Sequence, residues 1–206
     1  MPPRPASGAI LPAEERRELT VETVIDLAAE QNPNDITTAA IAQRMGVTQG
    51  ALFRHFPSKD AILQAVVQWV ADRLLARVDE AMASAAHPAA ALEAAFMAHV
   101  GFVTQHPGAP RLLFGELQRK ADSAPKGLVT ALLKGYRQRL MAVMAEGQSQ
   151  GLFDPELDRE AAATFFIGCI QGLVMQSLMT GQVKTLRKQA QSVFPIFLRG
   201  LQPCRS

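Results

Sequence analysis

Apolar residues recur at helical spacing along most of the chain, as Val21, Val24, Ile25 and Ala28 do on one face of the first segment. Clusters of Pro, Gly, Asn and Ser interrupt this pattern and separate the segments. Runs rich in Val, Ile, Thr and Tyr, which favour strands, are scarce. The pattern therefore predicts an all-α fold with helices near 13–30, 38–45, 49–53, 58–85, 89–105, 109–119, 125–150, 158–180 and 185–201.

The second and third predicted helices carry a helix-turn-helix spacing within TAAIAQRMGVTQGALFRHFP, residues 38–57. Counted from Thr38, the fifth residue is Ala42, the ninth Gly46 and the fifteenth Leu52. Two closely crossing helices need a small residue at the crossing, a residue that tolerates positive φ in the turn, and a large aliphatic anchor. Ile41, Met45 and Val47 are expected to complete the apolar seam. An ordinary helical hairpin also fits so short a pattern.

The longer run TTAAIAQRMGVTQGALFRHFPSKDAIL is more specific, and it resembles the DNA-binding signature of the TetR family of transcriptional regulators. The resemblance covers about residues 14–65. The Pro-rich segment 1–12 predicts a disordered arm. The resemblance implies a three-helix helix-turn-helix DNA-binding domain (13–60) and a helical effector-binding and dimerisation domain (61–206). It further implies a cytoplasmic homodimer that represses transcription at a palindromic operator in double-stranded DNA and is released by a small-molecule effector.

The same resemblance assigns the DNA-contacting residues. Thr38 and Thr48 would meet phosphates at helix N-termini, and Gln49 would contact a base edge, since glutamine pairs bidentately with adenine. Phe53 stands where the family usually has tyrosine, so that phosphate contact is lost while the packing is kept. The full predicted set is Thr38, Thr48, Gln49, Gly50, Phe53, Arg54, His55 and Lys59.

Charge and cysteine content add little to this picture. The net charge is +2, but residues 36–60 carry three basic side chains against the single acid Asp60. Such segregation suits a face that meets phosphates. Cys169 and Cys204 lack metal-ligand spacing and suggest free thiols in a reducing cytoplasm. No catalytic motif, metal site or cofactor is expected, which argues against an enzyme.

The C-terminal segments supply candidates for an effector pocket and a dimer interface. A hydrophobic effector is favoured by their low charge. The uncharged stretch 161–183 is long enough to span a bilayer, but a buried or interfacial helix is the preferred interpretation. A protein partner in place of a small ligand is the alternative mode of regulation. The predicted pocket residues are Trp69, Phe96, His99, Phe102, Leu113, Leu117, Phe165 and Cys169. The predicted interface residues are Gly168, Gly172, Phe194, Phe197 and Leu201.

Overall fold

A computed structural model describes residues 12–118 and 123–203. The predicted arm, apart from residue 12, and Cys204 lie outside the described residues. Within them the chain is helical and contains no strand, as the sequence pattern predicts. The helices are α1 (Ala13–Glu30), α2 (Thr38–Met45), α3 (Gln49–Phe53), α4 (Lys59–Ala83), α5 (Pro88–Gln105), α6 (Gly108–Leu117), α7 (Ala124–Ser149), α8 (Arg159–Thr180) and α9 (Leu186–Arg199).

Side-chain caps fix where the helices of the N-terminal unit begin. The hydroxyls of Thr37, Thr48 and Ser58 each accept a hydrogen bond, at 3.1 Å, from the backbone N–H three residues later. Each satisfies a donor that the first turn of a helix would otherwise leave unpaired. All predicted helix boundaries agree with the structure to within two residues, and at these three helices the capping residue is recognisable in the sequence.

The first three helices form a small unit around Ile41, Leu52 and Phe56, which are fully buried. Gly46 ends α2 in the left-handed conformation, at φ 69°, where glycine carries no steric penalty. The prediction that Val47 joins the seam is wrong. It is exposed, because it lies in the turn beyond Gly46 and projects away from the contact between α2 and α3.

One continuous apolar core joins this unit to the remaining helices. Helix α4 contributes to both parts, since it packs against α1, α5 and α7. In the C-terminal part the core is aromatic. The ring of Phe96 lies 5.2 Å from that of Phe166 and 5.4 Å from that of Phe194, measured between centroids. Helix α4 therefore connects the helix-turn-helix to the C-terminal helices.

Helix α6 makes a second connection, because its first residue lies directly on the backbone of α1. A Cβ atom built on Gly108 would overlap the carbonyl group of Ile25 and lie 2.8 Å from the backbone nitrogen of Ala29. No side chain larger than hydrogen fits there without separating the two helices. The glycine is required by this close approach, since its backbone is not in the left-handed region.

This contact predicts opposite effects for two glycine-to-alanine substitutions within α6. Gly108→Ala should lower the free energy of unfolding by about 1–3 kcal/mol, because the added methyl group forces α6 off α1. Gly115→Ala should raise it by about 0.5–1 kcal/mol, because nothing lies within 4 Å of its Cβ position and alanine favours a helix. Urea unfolding of both variants checks this. Equal stabilities would contradict the observed packing.

Candidate nucleic-acid interface and ligand cavity

The predicted DNA-contacting residues lie together around α3. Thr48, Gln49 and Gly50 form its exposed N-terminal turn, and Arg54 follows its last turn on the surface. Phe53 is 44% exposed, which is unusual for an aromatic side chain beside a packed core. His55 and Lys59 are half-buried at the junction with α4. Helix α3 thus presents a short polar and aromatic face of the size that a major groove accepts.

A hydrogen bond holds Gln49 in position. Its side-chain Nε2 donates to the hydroxyl of Thr38, at 2.9 Å, and thereby ties the start of α3 to the start of α2. A glutamine amide has two N–H donors and a carbonyl acceptor, so this bond is compatible with a bidentate base contact. Thr38 is the first residue of α2, while Thr37 caps that helix. The Thr38 hydroxyl is thus engaged with Gln49.

Glycine at position 50 is not required by the packing of the chain itself. A Cβ atom there would meet only the Thr48 hydroxyl, at 3.9 Å, which is an ordinary van der Waals distance. The absent side chain therefore leaves space on the outer surface of α3. That space suits a close approach of the helix backbone to another molecule.

Arg17 of α1 is a positioning residue that the sequence interpretation missed. Its guanidinium donates to the carbonyl oxygen of His55, at 2.8 Å, and lies 4.5 Å from the centroid of the Phe56 ring. These contacts fix the chain where α3 leads into α4. The only sequence signal was a basic residue on the first helix near the start of the family signature, and nothing in its spacing indicated this long-range contact.

The positive charge around α3 is smaller than the count over residues 36–60 suggests. Arg44 forms an ion pair with Glu30 of α1. The hydrogen bond from Arg44 holds the pKa of the Glu30 carboxyl below its ordinary value. This ion pair neutralises Arg44. The basic side chains of that segment left to attract phosphates are therefore Arg54 and Lys59.

A cavity of about 80 Å³ lies among α4, α5, α6, α7 and α8. It is enclosed mainly by apolar side chains from all five helices. Four of the eight predicted pocket residues line it: His99, Phe102, Leu113 and Leu117.

The other four predicted pocket residues lie elsewhere, each for a packing reason. Trp69 lies beneath the guanidinium of Arg73, 4.6 Å from its ring centroid. Phe96 is buried in the aromatic core, and Phe165 is 57% exposed on α8. Cys169 is half-buried on α8, where partial burial raises the pKa of its thiol. Helical spacing identifies an apolar face but not which neighbouring helix covers it.

Two polar groups of the cavity lack hydrogen-bond partners among the described residues: Nδ1 of His99 and the hydroxyl of Tyr136. Their ring centroids are 5.5 Å apart. Burial lowers the pKa of His99 to about 4 and raises that of Tyr136, so both are neutral at pH 7. Gln171 is another polar lining residue. Tyr136 and Gln171 were missed, although Tyr136 is the one tyrosine in the chain.

An exposed stripe runs along α8 on the opposite side from the core. Its members are separated by alternating steps of three and four residues, the spacing of a helix-pairing seam. Phe165 is 57% and Met179 80% exposed, and no atom lies within 4 Å of the Cβ position of either glycine. The stripe consists of Phe165, Gly168, Gly172, Met175 and Met179.

Three residues predicted for a dimer interface do not reach this surface. Phe194, Phe197 and Leu201 are buried in the core of the chain itself, because α9 turns its apolar side toward α5 and α8. Ile196 is the exposed apolar residue of α9 instead. Among the described helices, α8 alone is long and apolar enough to span a membrane, and 44% of its most apolar window is buried inside the protein.

Comparison with known protein families assigns most of the chain. Residues 22–66 match the model of bacterial regulatory proteins of the tetR family. Residues 68–200 match the model of the C-terminal region of YsiA-like proteins, which carries the designation TetR_C_4. The described part of the chain contains no group of three His, Cys, Asp or Glu residues arranged to hold a metal ion.

Curated relatives include the nucleoid occlusion factor SlmA of Marinomonas sp. (strain MWYL1), which is 25% identical over 78% of this chain and 81% of the relative. SlmA of Escherichia coli O1:K1 / APEC is 27% identical over 64% of this chain and 66% of its own length. These relatives are not enzymes.

Solved structures share the fold. FadR, a fatty acid degradation regulator from Bacillus halodurans, superposes with a TM-score of 0.81 at 20% identity, covering 95% of this chain and 100% of that one. KstR2, a ketosteroid transcriptional regulator of Mycobacterium tuberculosis, superposes with a TM-score of 0.70 at 24% identity, covering 97% of this chain and 99% of that one. With both family models matched in chain order, this protein belongs to the TetR family of DNA-binding transcriptional regulators.

Proposed function

We propose that the protein is a cytoplasmic homodimeric repressor that binds a palindromic operator through α3 and is released by a small hydrophobic ligand. The observation that carries the proposal is the exposed N-terminal turn of α3, where Gln49 is held in place by Thr38 and is flanked by Gly50 and Arg54. An exposed, pre-oriented polar turn on a rigid three-helix unit is suited to reading base edges in a major groove.

Each predicted DNA contact has a specific role in this proposal. Gln49 reads a base edge, and Gly50 allows the helix backbone to approach it. Arg54 and Lys59 neutralise phosphates on either side of the groove. Phe53, exposed on the same face, offers an apolar contact to a thymine methyl group. Thr48 and Thr38 place the N-termini of α3 and α2 toward the DNA backbone, and His55 contacts the backbone at the end of α3.

The proposed dimer forms through the stripe on α8, with Ile196 of α9 beside it. Gly168 and Gly172 allow a partner helix to come close, while Phe165, Met175 and Met179 supply apolar area that would otherwise face water. Since one short recognition helix contacts few base pairs, two copies related by a two-fold axis read two half-sites. A palindromic operator follows from that symmetry.

The cavity is the proposed effector site because its walls belong to the helices that support α3. Val70 of α4 and Leu113 of α6 both line it. Helix α4 begins only six residues after α3 ends, and α6 lies on α1 at Gly108. An occupant that displaces either helix shifts the helix-turn-helix, changes the separation of the two α3 helices, and releases DNA. It acts only through unequal affinity for the two states.

The similarity to SlmA, named a nucleoid occlusion factor, motivates a second candidate. In this candidate the same DNA-binding dimer is regulated by a protein partner and not by a ligand. The cavity with its unpaired polar groups favours the ligand, since a chain regulated only at its surface gains nothing from them.

The DNA interface predicts distinct losses for two substitutions, measured on a duplex selected from random sequences. Gln49→Ala should cost about 1–3 kcal/mol per half-site and relax the preference at one base pair. Lys59→Ala should weaken binding to all DNA sequences equally. It should also reduce the slope of log K against the logarithm of the salt concentration by about one per half-site. Lys134→Ala, which removes an exposed charge from α7, is the control. The proposed interface fails if Lys134→Ala has the same effect as Lys59→Ala.

The dimer interface predicts a change of oligomeric state for Gly168→Glu. A Cβ atom at that position meets nothing within 4 Å in its own chain, and a glutamate would place a charge and a side chain against a partner helix. Sedimentation equilibrium should show a dimer for the native chain and a monomer for the variant. Gly127→Glu, at an open glycine of α7, should remain dimeric. A Gly168→Glu dimer of unchanged affinity would place the interface elsewhere.

A further inference from the structure

The cavity combines apolar walls with two neutral polar groups that have no partner among the described residues. The side chain of Tyr136 is almost completely buried, and its hydroxyl, like Nδ1 of His99, is removed from the surface. A buried polar group without a hydrogen bond destabilises the fold, because it loses its contacts with water and gains none in return. A phenylalanine in place of Tyr136 would have nearly the same shape and would leave no hydroxyl unpaired. Two such groups on facing rings of α7 and α5 therefore point to a bound molecule that pairs with them.

We propose that the cavity binds a neutral, mostly apolar molecule with one hydroxyl group, an alcohol or a phenol, whose hydroxyl pairs with His99 and Tyr136. This inference rests on the proposed function, because it specifies the effector of that same site.

The donor and acceptor properties of the two side chains select a hydroxyl group. A tyrosine hydroxyl both donates and accepts, whereas a neutral histidine nitrogen does one or the other according to its tautomer. A ligand hydroxyl also does both, so it satisfies the pair for either tautomer of His99. The ring centroids are 5.5 Å apart, so the two side chains are neighbours in the cavity wall.

The absence of charge around the cavity selects a neutral ligand. None of the described residues that line it is Asp, Glu, Lys or Arg. Since burial keeps His99 uncharged at pH 7, none of these described lining residues offers a cation to a carboxylate or phosphate. An ionised group transferred there would lose its hydration without compensation. The polar part of the ligand is therefore uncharged.

The volume of the cavity sets the size of the ligand and connects binding to movement. About 80 Å³ is roughly half of the ~150 Å³ cavity that is known to hold benzene in another protein. A ring-sized ligand must therefore displace one wall. Leu113, Phe114 and Leu117 of α6 are only partly buried, so α6 is the wall that yields most easily. Because α6 lies on α1, its displacement reaches the helix-turn-helix.

Three probes of similar size, phenol, benzene and benzoate, test the inference on the full-length chain. The indole N–H resonance of Trp69, the only tryptophan, reports binding, since its ring lies 6.3 Å from that of the lining residue Phe102. Phenol should bind roughly three- to tenfold more tightly than benzene, the contribution of a hydrogen bond. Benzoate should not bind. Calorimetric titration gives the same affinities independently of the resonance.

Two variants identify the anchoring groups. Tyr136→Phe should retain benzene binding and reduce the preference for phenol to within about twofold, and it should not lower stability, because it removes an unpaired hydroxyl. His99→Leu should likewise reduce the preference for phenol over benzene. The inference is overturned if native protein binds phenol and benzene equally or not at all, or if Tyr136→Phe retains the full preference. Since no DNA is present, failure of the DNA-binding proposal would leave these affinities unchanged.

Discussion

The backbone contact between α6 and α1 at Gly108 is the constraint on which the arrangement of the molecule depends. It allows the wall of the cavity to lie directly against the first helix of the DNA-reading unit, where a single methyl group would separate them. Helix α4 makes the parallel connection through its packing against α1, α5 and α7. These two connections join the cavity to the helix-turn-helix through directly packed helices, and the proposed coupling between the cavity and the recognition helix rests on them.

Stability and function place opposite demands on the C-terminal half. The aromatic cluster around Phe96, Phe166 and Phe194 is closely packed and contributes stability through burial and edge-to-face contacts. The neighbouring cavity does the reverse, since it leaves His99 and Tyr136 unpaired. Unsatisfied buried groups are rare in native proteins, and in the proposed effector site a ligand accounts for these two. On the outer surface, the apolar stripe of α8 is a similar exception, and in the proposed dimer a second copy covers its side chains.

The sequence predicted the local structure well and the tertiary partners less well. Caps such as Thr48 and Ser58, and the left-handed Gly46, are local signals, so the helices and the face of α3 were predictable. Which apolar faces are buried within the chain itself was not predictable. Phe194 and Phe197 have the spacing of an interface helix, but α9 uses that face for its own core. Helical periodicity shows that a face is covered, and a partner chain and a neighbouring helix produce the same pattern.

Long-range polar contacts also could not be predicted from the sequence. Arg17 contacts His55 across 38 positions, and Tyr136 meets His99 only because α5 and α7 are neighbours in the fold. Four of the eight residues predicted for a pocket line the cavity, and the other four lie elsewhere because apolar residues on central helices have several possible neighbours. In contrast, all eight predicted DNA-contacting residues lie around one short helix, since the helix-turn-helix is a local motif whose geometry follows from its spacing.

The coupling between the cavity and DNA reading is most directly tested by filling the cavity with a side chain. Leu113→Trp would place a larger group in the cavity from α6 and act as a permanent occupant. Affinity for the selected operator would be measured by fluorescence anisotropy, with folding and dimer formation verified on the same samples. The account predicts at least a fivefold loss of operator affinity, about 1 kcal/mol, within the usual range of allosteric coupling. A folded, dimeric variant that binds the operator as tightly as the native chain would contradict it.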